Sequence, residues 1–172
     1  MVRPILNFEN PVLREKAKKV ARIDASIQRL LDDLTETMLA APGAGLAANQ
    51  IGVALRVCVV KGDDKQIWGL VNPEVVKKDG VQVGYEGCLS YPGWVGEVER
   101  AETVVVKGRN RHGKEIRVKS SGFTARAFQH ELDHLDGVLF TDRLTNLDTL
   151  CRVEELIGAS GRPRNFAGGH AA

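Results

Sequence analysis

Residues 130–134 read His-Glu-Leu-Asp-His, and this pentapeptide constrains the chain more than any other stretch. On an α-helix of about 3.6 residues per turn, His130 and His134 face the same way. Two imidazoles on one helix face can bind one metal ion, and Glu131 beside them is a candidate general acid and base. With only 4 His in 172 residues, chance is a poor explanation of the pattern. It therefore predicts half of a metal site on a helix and requires a further ligand.

The composition is that of an ordinary globular chain. Hydrophobic residues make up 43% and charged residues 27%, which favours one packed domain over disorder. The net charge is +2 and no basic cluster is interleaved with aromatics, so a direct nucleic-acid role is disfavoured. The first residues lack the pattern of a signal peptide, no apolar run approaches the roughly 18 residues of a membrane helix, and the 3 Cys are widely spaced. We expect a cytoplasmic protein with no membrane role.

The hydrophobic periodicity predicts helices on both sides of a strand-rich middle. A short helix is predicted from Pro11 to about Val20, and a longer one that Asp24 or Ser26 caps and Pro42-Gly43 ends. Further elements are a helix from about Phe123 to Leu135 and strands at 53–60, 67–71, 74–83, 99–109 and 115–119. This order predicts an α+β fold. Antiparallel or mixed sheets would pack around a central C-terminal helix carrying the HExxH motif, with an N-terminal helix in addition.

The third metal ligand is expected outside the helix. Cys88, within Glu86-Gly87-Cys88-Leu89-Ser90, is the preferred candidate, because a thiolate and two imidazoles leave a fourth position open for water. For an isolated cysteine, a buried structural role is the commoner explanation. Asp133 is better placed to orient a ligand than to be one. The other donors left open at this point are Glu86, Asp133, Asp136, His112 and His170.

A third segment, Gly43-Ala44-Gly45-Leu46-Ala47-Ala48-Asn49-Gln50, alternates glycine and small residues after a helix. This pattern lets a backbone approach a ligand closely, and Gln50 adds an amide that can donate to an oxygen. The segment does not match a phosphate-binding loop, because no Lys-Ser/Thr follows it and no strand precedes it. Taken alone, such a turn is more often structural than functional.

Together, the three segments resemble the signature motifs of the peptide deformylases, the third motif being residues 129–137. The resemblance covers roughly residues 1–150 as a catalytic domain, with 151–172 as a C-terminal segment that is loosely ordered beyond about residue 159. It implies removal of the N-formyl group from the formyl-methionine of newly synthesised polypeptides, so formylated nascent peptides are the expected partners. It also implies one divalent metal ion, with Fe(II) expected and Zn, Ni or Co as alternatives in preparations.

The resemblance also implies roles for individual residues. The metal would be held by Cys88, His130 and His134. A water activated by the metal would attack the formyl carbon, with Glu131 as general base and then acid. The oxyanion would be stabilised by the Gln50 amide and the Leu89 backbone N–H. Substrate contacts are expected from Gly45, Ala44, Glu86, Trp94, Phe123 and Arg126. For Phe123 and Arg126 a core or solvated position is an equal alternative, and Trp94 could simply cover the sheet.

Two other classes of protein compete with this interpretation. A zinc peptidase of the general HExxH class shares Glu131 and both histidines, but its usual third ligand lies downstream, where the only histidine is His170. A binding domain with a structural metal would need neither Glu131 nor Gln50. In similar bacterial enzymes C-terminal segments can dock on the ribosome, whereas a short tail of mixed charge is more often solvated.

Overall fold

The structure is a computed structural model that describes residues 1–157. The part of the predicted tail at residues 158–172 lies outside the described residues. The α-helices are α1 (Ala25–Ala40), α2 (Gly122–Leu135) and α3 (Val153–Leu156). The strands are β1 (Gly45–Ala47), β2 (Val57–Lys61), β3 (Ile67–Asp79), β4 (Gln82–Cys88), β5 (Tyr91–Arg100), β6 (Thr103–Arg109), β7 (Glu115–Ser121) and β8 (Cys151–Arg152). Short 3-10 helices occupy Pro11–Arg14, Ala48–Ile51, Phe140–Arg143 and Leu147–Thr149.

The strands form two sheets. One has five strands in the order β1-β2-β3-β6-β7, and the other has three in the order β4-β5-β8. Every pairing between these strands is antiparallel. The predicted α+β class, with antiparallel sheets and few helices, is confirmed.

The five-stranded sheet is covered by a helix on each face, and β2 shows why. Successive side chains of a strand point to opposite faces. Val57 and Val59 pack in the cluster that contains the apolar side of α1, whereas Cys58 and Val60 pack in the cluster that contains α2. Asp24 accepts hydrogen bonds from the first backbone N–H groups of α1, as predicted. The run of buried valines in β2 is therefore the signature of a strand with two covered faces.

Helix α2 is surrounded by protein. Its buried residues include Arg126, His130, Glu131 and His134 as well as the apolar side chains. It packs on β1 and β2 of the larger sheet, while Arg126 and His130 form hydrogen bonds with Glu86 in β4 of the smaller sheet. Buried polar groups are costly unless they are paired or functional. The polar content of this helix therefore marks the region where a site is expected.

Several predicted boundaries were wrong. The helix predicted to begin at Pro11 is only the 3-10 helix Pro11–Arg14. The strand predicted at 74–83 is interrupted, because the chain reverses at Gly80, whose φ of 67° favours glycine. The strand predicted at 99–109 is likewise two strands, β5 and β6.

The predicted end of a strand at Asn72-Pro73 was also wrong, because β3 continues through it with an irregular register. Asn72 adopts a φ of 52°, and its side chain bonds both the N–H and the C=O of Val20 at 2.8 and 2.9 Å. These two hydrogen bonds hold a turn-forming residue inside the strand.

Cys151 and Arg152, which follow the predicted catalytic domain, join the smaller sheet. Arg152 pairs with Trp94 and Cys151 with Val95, so β8 extends the sheet next to β5. The Arg152 guanidinium also lies 5.3 Å from the centre of the Trp94 ring, within the range of a cation–π contact. Within residues 1–157, no helix is long and apolar enough to cross a bilayer.

Candidate metal centre and active site

Three potential metal ligands converge between α2 and the end of β4. The ligand atoms of Cys88, His130 and His134 all lie within 4.8 Å of one another, and all three residues are buried. The Nε2 atom of His134 is 3.1 Å from Nε2 of His130 and 3.3 Å from Sγ of Cys88. Metal bonds of about 2.1 Å to nitrogen and 2.3 Å to sulfur in a tetrahedron separate such atoms by roughly 3.4–3.6 Å. The three side chains therefore fit around one ion with small movements.

The fold explains why these residues meet. Cys88 is the last residue of β4, next to a two-residue turn formed by Leu89 and Ser90. His130 and His134 lie one helical turn apart on α2, so their rings face the same side. The side chain of Asn49, fully buried, donates to the backbone carbonyl of His134 and ties the Gly-rich segment to the end of the helix.

The other sequence candidates for the third ligand lie elsewhere or have other partners. Glu86 bonds His130, and Asp133 pairs with Arg100 and Arg143. Asp136 pairs with Arg56, and His112 lies in the exposed turn between β6 and β7. His170 is outside the described residues. Within residues 1–157, the only cluster of metal-binding side chains found is the Cys88, His130 and His134 set.

A buried carboxylate orients His130. Oε2 of Glu86 is 2.8 Å from Nδ1 of His130, and the fork of Arg100 bonds both Glu86 oxygens at 2.7 and 2.9 Å. Burial alone would raise the pKa of Glu86, but Arg100 and His130 hold that pKa well below its usual range. An ionised Glu86 accepts a hydrogen bond from the Nδ1–H of His130. The proton is then on Nδ1, which leaves the Nε2 lone pair of His130 facing the site.

Glu131 follows His130 on α2, and neither of its carboxylate oxygens has a hydrogen-bond partner within residues 1–157. Burial, and then the charge of Glu86, hold the pKa of Glu131 well above its usual range. A Cβ added to Gly45 would lie 2.8 Å from Oε1 of Glu131, so the backbone of β1 passes directly against the carboxylate. A buried, unpartnered carboxylate of this kind is suited to accept and return a proton.

Cys88 and His134 differ in how ready they are to bind a metal. Burial raises the pKa of the Cys88 thiol, with the backbone N–H of Ser90 opposing it. Burial, and then the neighbouring His130, hold the pKa of His134 well below its usual range, which keeps that imidazole neutral. A neutral imidazole is ready to bind a metal, whereas the thiol must lose its proton as the metal binds.

Gln50 points its amide nitrogen into the site. Its Oε1 accepts the N–H of Ala47 at 2.9 Å, which directs Nε2 towards Ser90 Oγ at 3.1 Å and Cys88 Sγ at 3.8 Å. Leu89 occupies the turn rather than the β4–β5 ladder, so strand pairing does not use its backbone N–H.

The residues predicted to contact substrate occupy different environments. Gly45 and Ala44 lie at or just before β1, beside Glu131. Phe123 is partly buried at the start of α2, and Trp94 lies in β5 beside Arg152. Arg126 is fully buried and bonded to Glu86.

Three residues near the site were given no role by the sequence interpretation. Ser90 and Asn49 lie inside the quoted motifs, and their position next to Cys88 and Gln50 was the available signal. Arg100 had no local signal, because its contact with Glu86 depends on the register of the β4–β5 hairpin, which pairs Gln82 with Arg100.

The α+β fold with a Cys-His-His cluster and an adjacent glutamate is that of a metal-dependent hydrolase. The polypeptide deformylase family matches residues 2–149, and the chain belongs to this family. A peptide deformylase of Dehalococcoides mccartyi (strain CBDB1) is 53% identical over 150 residues, covering 87% of this chain and 90% of the relative.

Solved structures of peptide deformylases are similar to this fold. A peptide deformylase from Legionella pneumophila is 44% identical with a TM-score of 0.82, covering 87% of this chain and 89% of that one. A Met-Ala-Ser-bound class I type b peptide deformylase from Acinetobacter baumannii is 34% identical with a TM-score of 0.78, covering 84% of this chain and 99% of that one. The resemblance drawn from the three motifs is confirmed.

Proposed function

We propose that the chain removes the N-formyl group of nascent polypeptides, its family's reaction, at the cluster of Cys88, His130 and His134, with Glu131 as general base and then acid. The observation that carries this assignment is the buried Glu131 carboxylate. It lies beside the cluster, and both of its oxygens lack a partner within residues 1–157. A purely structural metal site would not need such a group.

Cys88, His130 and His134 would hold one divalent ion, which we propose to be Fe(II), with Zn, Ni or Co as substitutes. The ligand types suit Fe(II) and Zn equally, so the choice of Fe(II) rests on the family. When bound, the ion supplies Lewis-acid chemistry: it polarises a carbonyl oxygen and makes water more acidic.

Glu131 moves the proton that the hydrolysis requires. One carboxylate oxygen takes a proton from the attacking water as the water oxygen bonds to the formyl carbon. The same carboxylic acid then gives that proton to the amide nitrogen as the carbon–nitrogen bond breaks, which yields formate and a free α-amine. Neither carboxylate oxygen has another hydrogen-bond partner within residues 1–157, so both are available to carry this proton.

Gln50 and Leu89 would stabilise the negative charge that develops on the formyl oxygen. The contact of Gln50 Nε2 with Cys88 Sγ is long at 3.8 Å, so the N–H on that side can turn to an oxygen in the site. Ser90 holds the other N–H at 3.1 Å and keeps the amide in place. Loss of one such donor typically costs about 2.7–4 kcal/mol of barrier.

The substrate peptide would add a strand at the edge of the larger sheet. β1 is the edge strand of this sheet, because it pairs with β2 on only one side. Main-chain hydrogen bonds to Gly45 would then align an extended peptide with its formyl end near Glu131. Ala44 would be a neighbouring contact, since its carbonyl already accepts the Lys61 N–H. Phe123 stays a proposed contact of the methionine side chain, and Trp94 a proposed residue at the mouth of its pocket. The Acinetobacter baumannii relative bound to Met-Ala-Ser supports a short peptide as ligand.

The setting of the reaction is also a proposal. We place it in the cytoplasm, on chains leaving the ribosome, with residues 1–150 as the catalytic domain. Docking of the C-terminal segment on the ribosome stays a prediction, and most of that segment lies outside the described residues.

A paired assay tests the function. Formate release from formyl-Met-Ala-Ser and cleavage of an internally quenched peptide are measured on one anaerobically purified, Fe(II)-loaded sample. We expect formate release and no endopeptide cleavage. Cleavage of the quenched peptide without formate would assign the chain to the peptidases instead.

A further inference from the structure

Glu86 carries more cationic partners than a single buried carboxylate needs. It is fully buried and receives hydrogen bonds from both Arg100 and Arg126 in addition to His130. The Arg100 fork alone engages both oxygens. Burying a second guanidinium is costly unless its pairing is favourable. The second arginine therefore calls for a reason beyond neutralising Glu86.

Arg126 shares Glu86 with Arg100 but also bonds two groups that Arg100 does not, the Val98 carbonyl and Gln82. Its Nη1 donates to Oε1 of Glu86 at 2.9 Å and to the carbonyl of Val98 at 3.0 Å, and its Nε donates to Gln82 at 3.3 Å. These partners lie in β4 and β5, whereas Arg126 itself lies on α2. It thus bridges the smaller sheet to the helix.

The position of Arg126 along α2 places its side chain next to that of His130. Arg126 precedes His130 by one helical turn, so both side chains leave the same face and reach the same carboxylate. Oε1 of Glu86 accepts from Arg126, and Oε2 lies 2.8 Å from His130 Nδ1. Arg100 reaches Glu86 from β5, within the sheet that carries Glu86 itself, and its side chain hydrogen-bonds α2 at Asp133. Besides His130 itself, Arg126 is the residue of α2 that bonds Glu86 directly within residues 1–157.

We propose that Arg126 is a positioning residue: it fixes Glu86 against α2, so that Glu86 holds the His130 ring with Nε2 directed at the metal. This role acts through Glu86 and differs from the substrate contact predicted from the sequence. It rests on the metal site of the proposed function. Outer partners of metal-binding histidines typically change metal affinity about 10–100-fold when they are removed.

The test measures metal binding by the metal-free full chain. Co(II) is titrated in competition with a chelator, and the absorption bands of the Co(II) protein report the ligand geometry. Arg126→Met removes the charge but keeps a side chain of similar length. Arg126→Lys keeps the charge but loses the several N–H donors of the guanidinium. We expect an affinity about 10–100-fold lower with altered Co(II) bands for Arg126→Met, and a smaller loss for Arg126→Lys.

A double-mutant cycle tests whether Arg126 acts on the metal site through Glu86. Glu86→Gln should weaken Co(II) binding at least as much as Arg126→Met does, and the double variant should be little worse than Glu86→Gln alone. Arg56→Met is the matched control, because Arg56 is also largely buried against α2 but bonds Leu135 and Asp136 rather than Glu86. This control should lower the melting temperature and leave the Co(II) bands unchanged.

The outcomes separate this inference from the function. If folded Arg126→Met has unchanged Co(II) affinity and absorption bands, Arg126 is not a positioning residue. The same follows if the losses of Co(II) affinity in Glu86→Gln and Arg126→Met add up in the double variant. If Arg126→Met does not fold, Arg126→Lys is judged by the same criteria. A wild-type chain that binds no Co(II), or a Cys88→Ala chain that binds it as tightly as wild type, would instead overturn the metal site itself.

Discussion

At the residue scale, the backbone of Gly45 passes so close to Glu131 that it leaves no room for a side chain at position 45. The strand β1 can pass against the carboxylate only because residue 45 has no side chain, since a Cβ there would meet Oε1 of Glu131 at 2.8 Å and Cγ at 2.9 Å. The glycine of the first motif therefore has a second use besides the proposed substrate pairing. It leaves room for the carboxylate of Glu131, the proposed base.

Gly45→Ala should displace the Glu131 carboxylate and leave the three metal ligands in place. Because misplacement by about 1 Å can cost roughly 100-fold, we expect kcat to fall by about that factor at unchanged metal content. Formate release and metal analysis on the same sample check this. If Gly45→Ala has the wild-type kcat at full metal loading, the close contact between Gly45 and Glu131 does not contribute to catalysis.

Metal affinity should depend on pH through Cys88. Its thiol has a raised pKa and is protonated in the metal-free protein at neutral pH, whereas the lowered pKa of His134 keeps that ring neutral. Metal binding must therefore displace the thiol proton. Each unit decrease in pH near neutrality should weaken Co(II) or Zn(II) binding about tenfold for each proton displaced. Chelator competition at several pH values measures the slope, and an affinity independent of pH would contradict the assigned ligand set.

At the element scale, α1 covers the outer face of the larger sheet behind β1. Leu34 of α1 is fully buried, whereas Leu39 on the same helix is 50% exposed. Leu34→Ala should lower the free energy of unfolding by about 2–5 kcal/mol, since it leaves a cavity in the core. Leu39→Ala is the matched control and should change it by less than about 0.5 kcal/mol. Denaturant unfolding measures both, and equal effects would mean that α1 does not pack as described.

The elements that could be predicted are those with a regular hydrophobic period and a cap. α1 was predicted from its leucine spacing and Asp24, and β2 from its valines. The reversal at Gly80 was missed, although Asp79-Gly80 is a turn-forming dipeptide. The continuation of β3 through Asn72 was not predictable, because it depends on hydrogen bonds with Val20, which is far away in the sequence.

At the scale of the whole molecule, the smaller sheet is completed by residues after 150. A chain ending at Leu150 would lose the pairing of β8 with β5 and the Arg152–Trp94 contact. Compared with a chain ending at Ile157, we expect a loss of about 1–2 kcal/mol, or roughly 2–8 °C in melting temperature. Thermal unfolding of both chains checks this. Equal melting temperatures would show that β8 adds nothing to the domain.

The site could be predicted in part because its parts lie in three short motifs. Spacing on one helix pointed to His130 and His134, ligand chemistry favoured Cys88, and family resemblance then gave Gln50 its role. The contacts that hold these groups were not visible, because Arg100 and Arg126 reach Glu86 only after the β4–β5 hairpin and α2 have packed together. Partners of this kind leave no spacing pattern in the sequence.

The most direct test of the account compares the wild-type chain with Glu131→Ala at matched metal content. Formate release from formyl-Met-Ala-Ser is measured on Fe(II)-loaded samples, with bound metal determined on each. We expect Glu131→Ala to keep the metal and to lose at least about 100-fold in kcat, because the proton carrier is gone. Formate release at the wild-type rate from fully loaded Glu131→Ala would contradict the proposed mechanism.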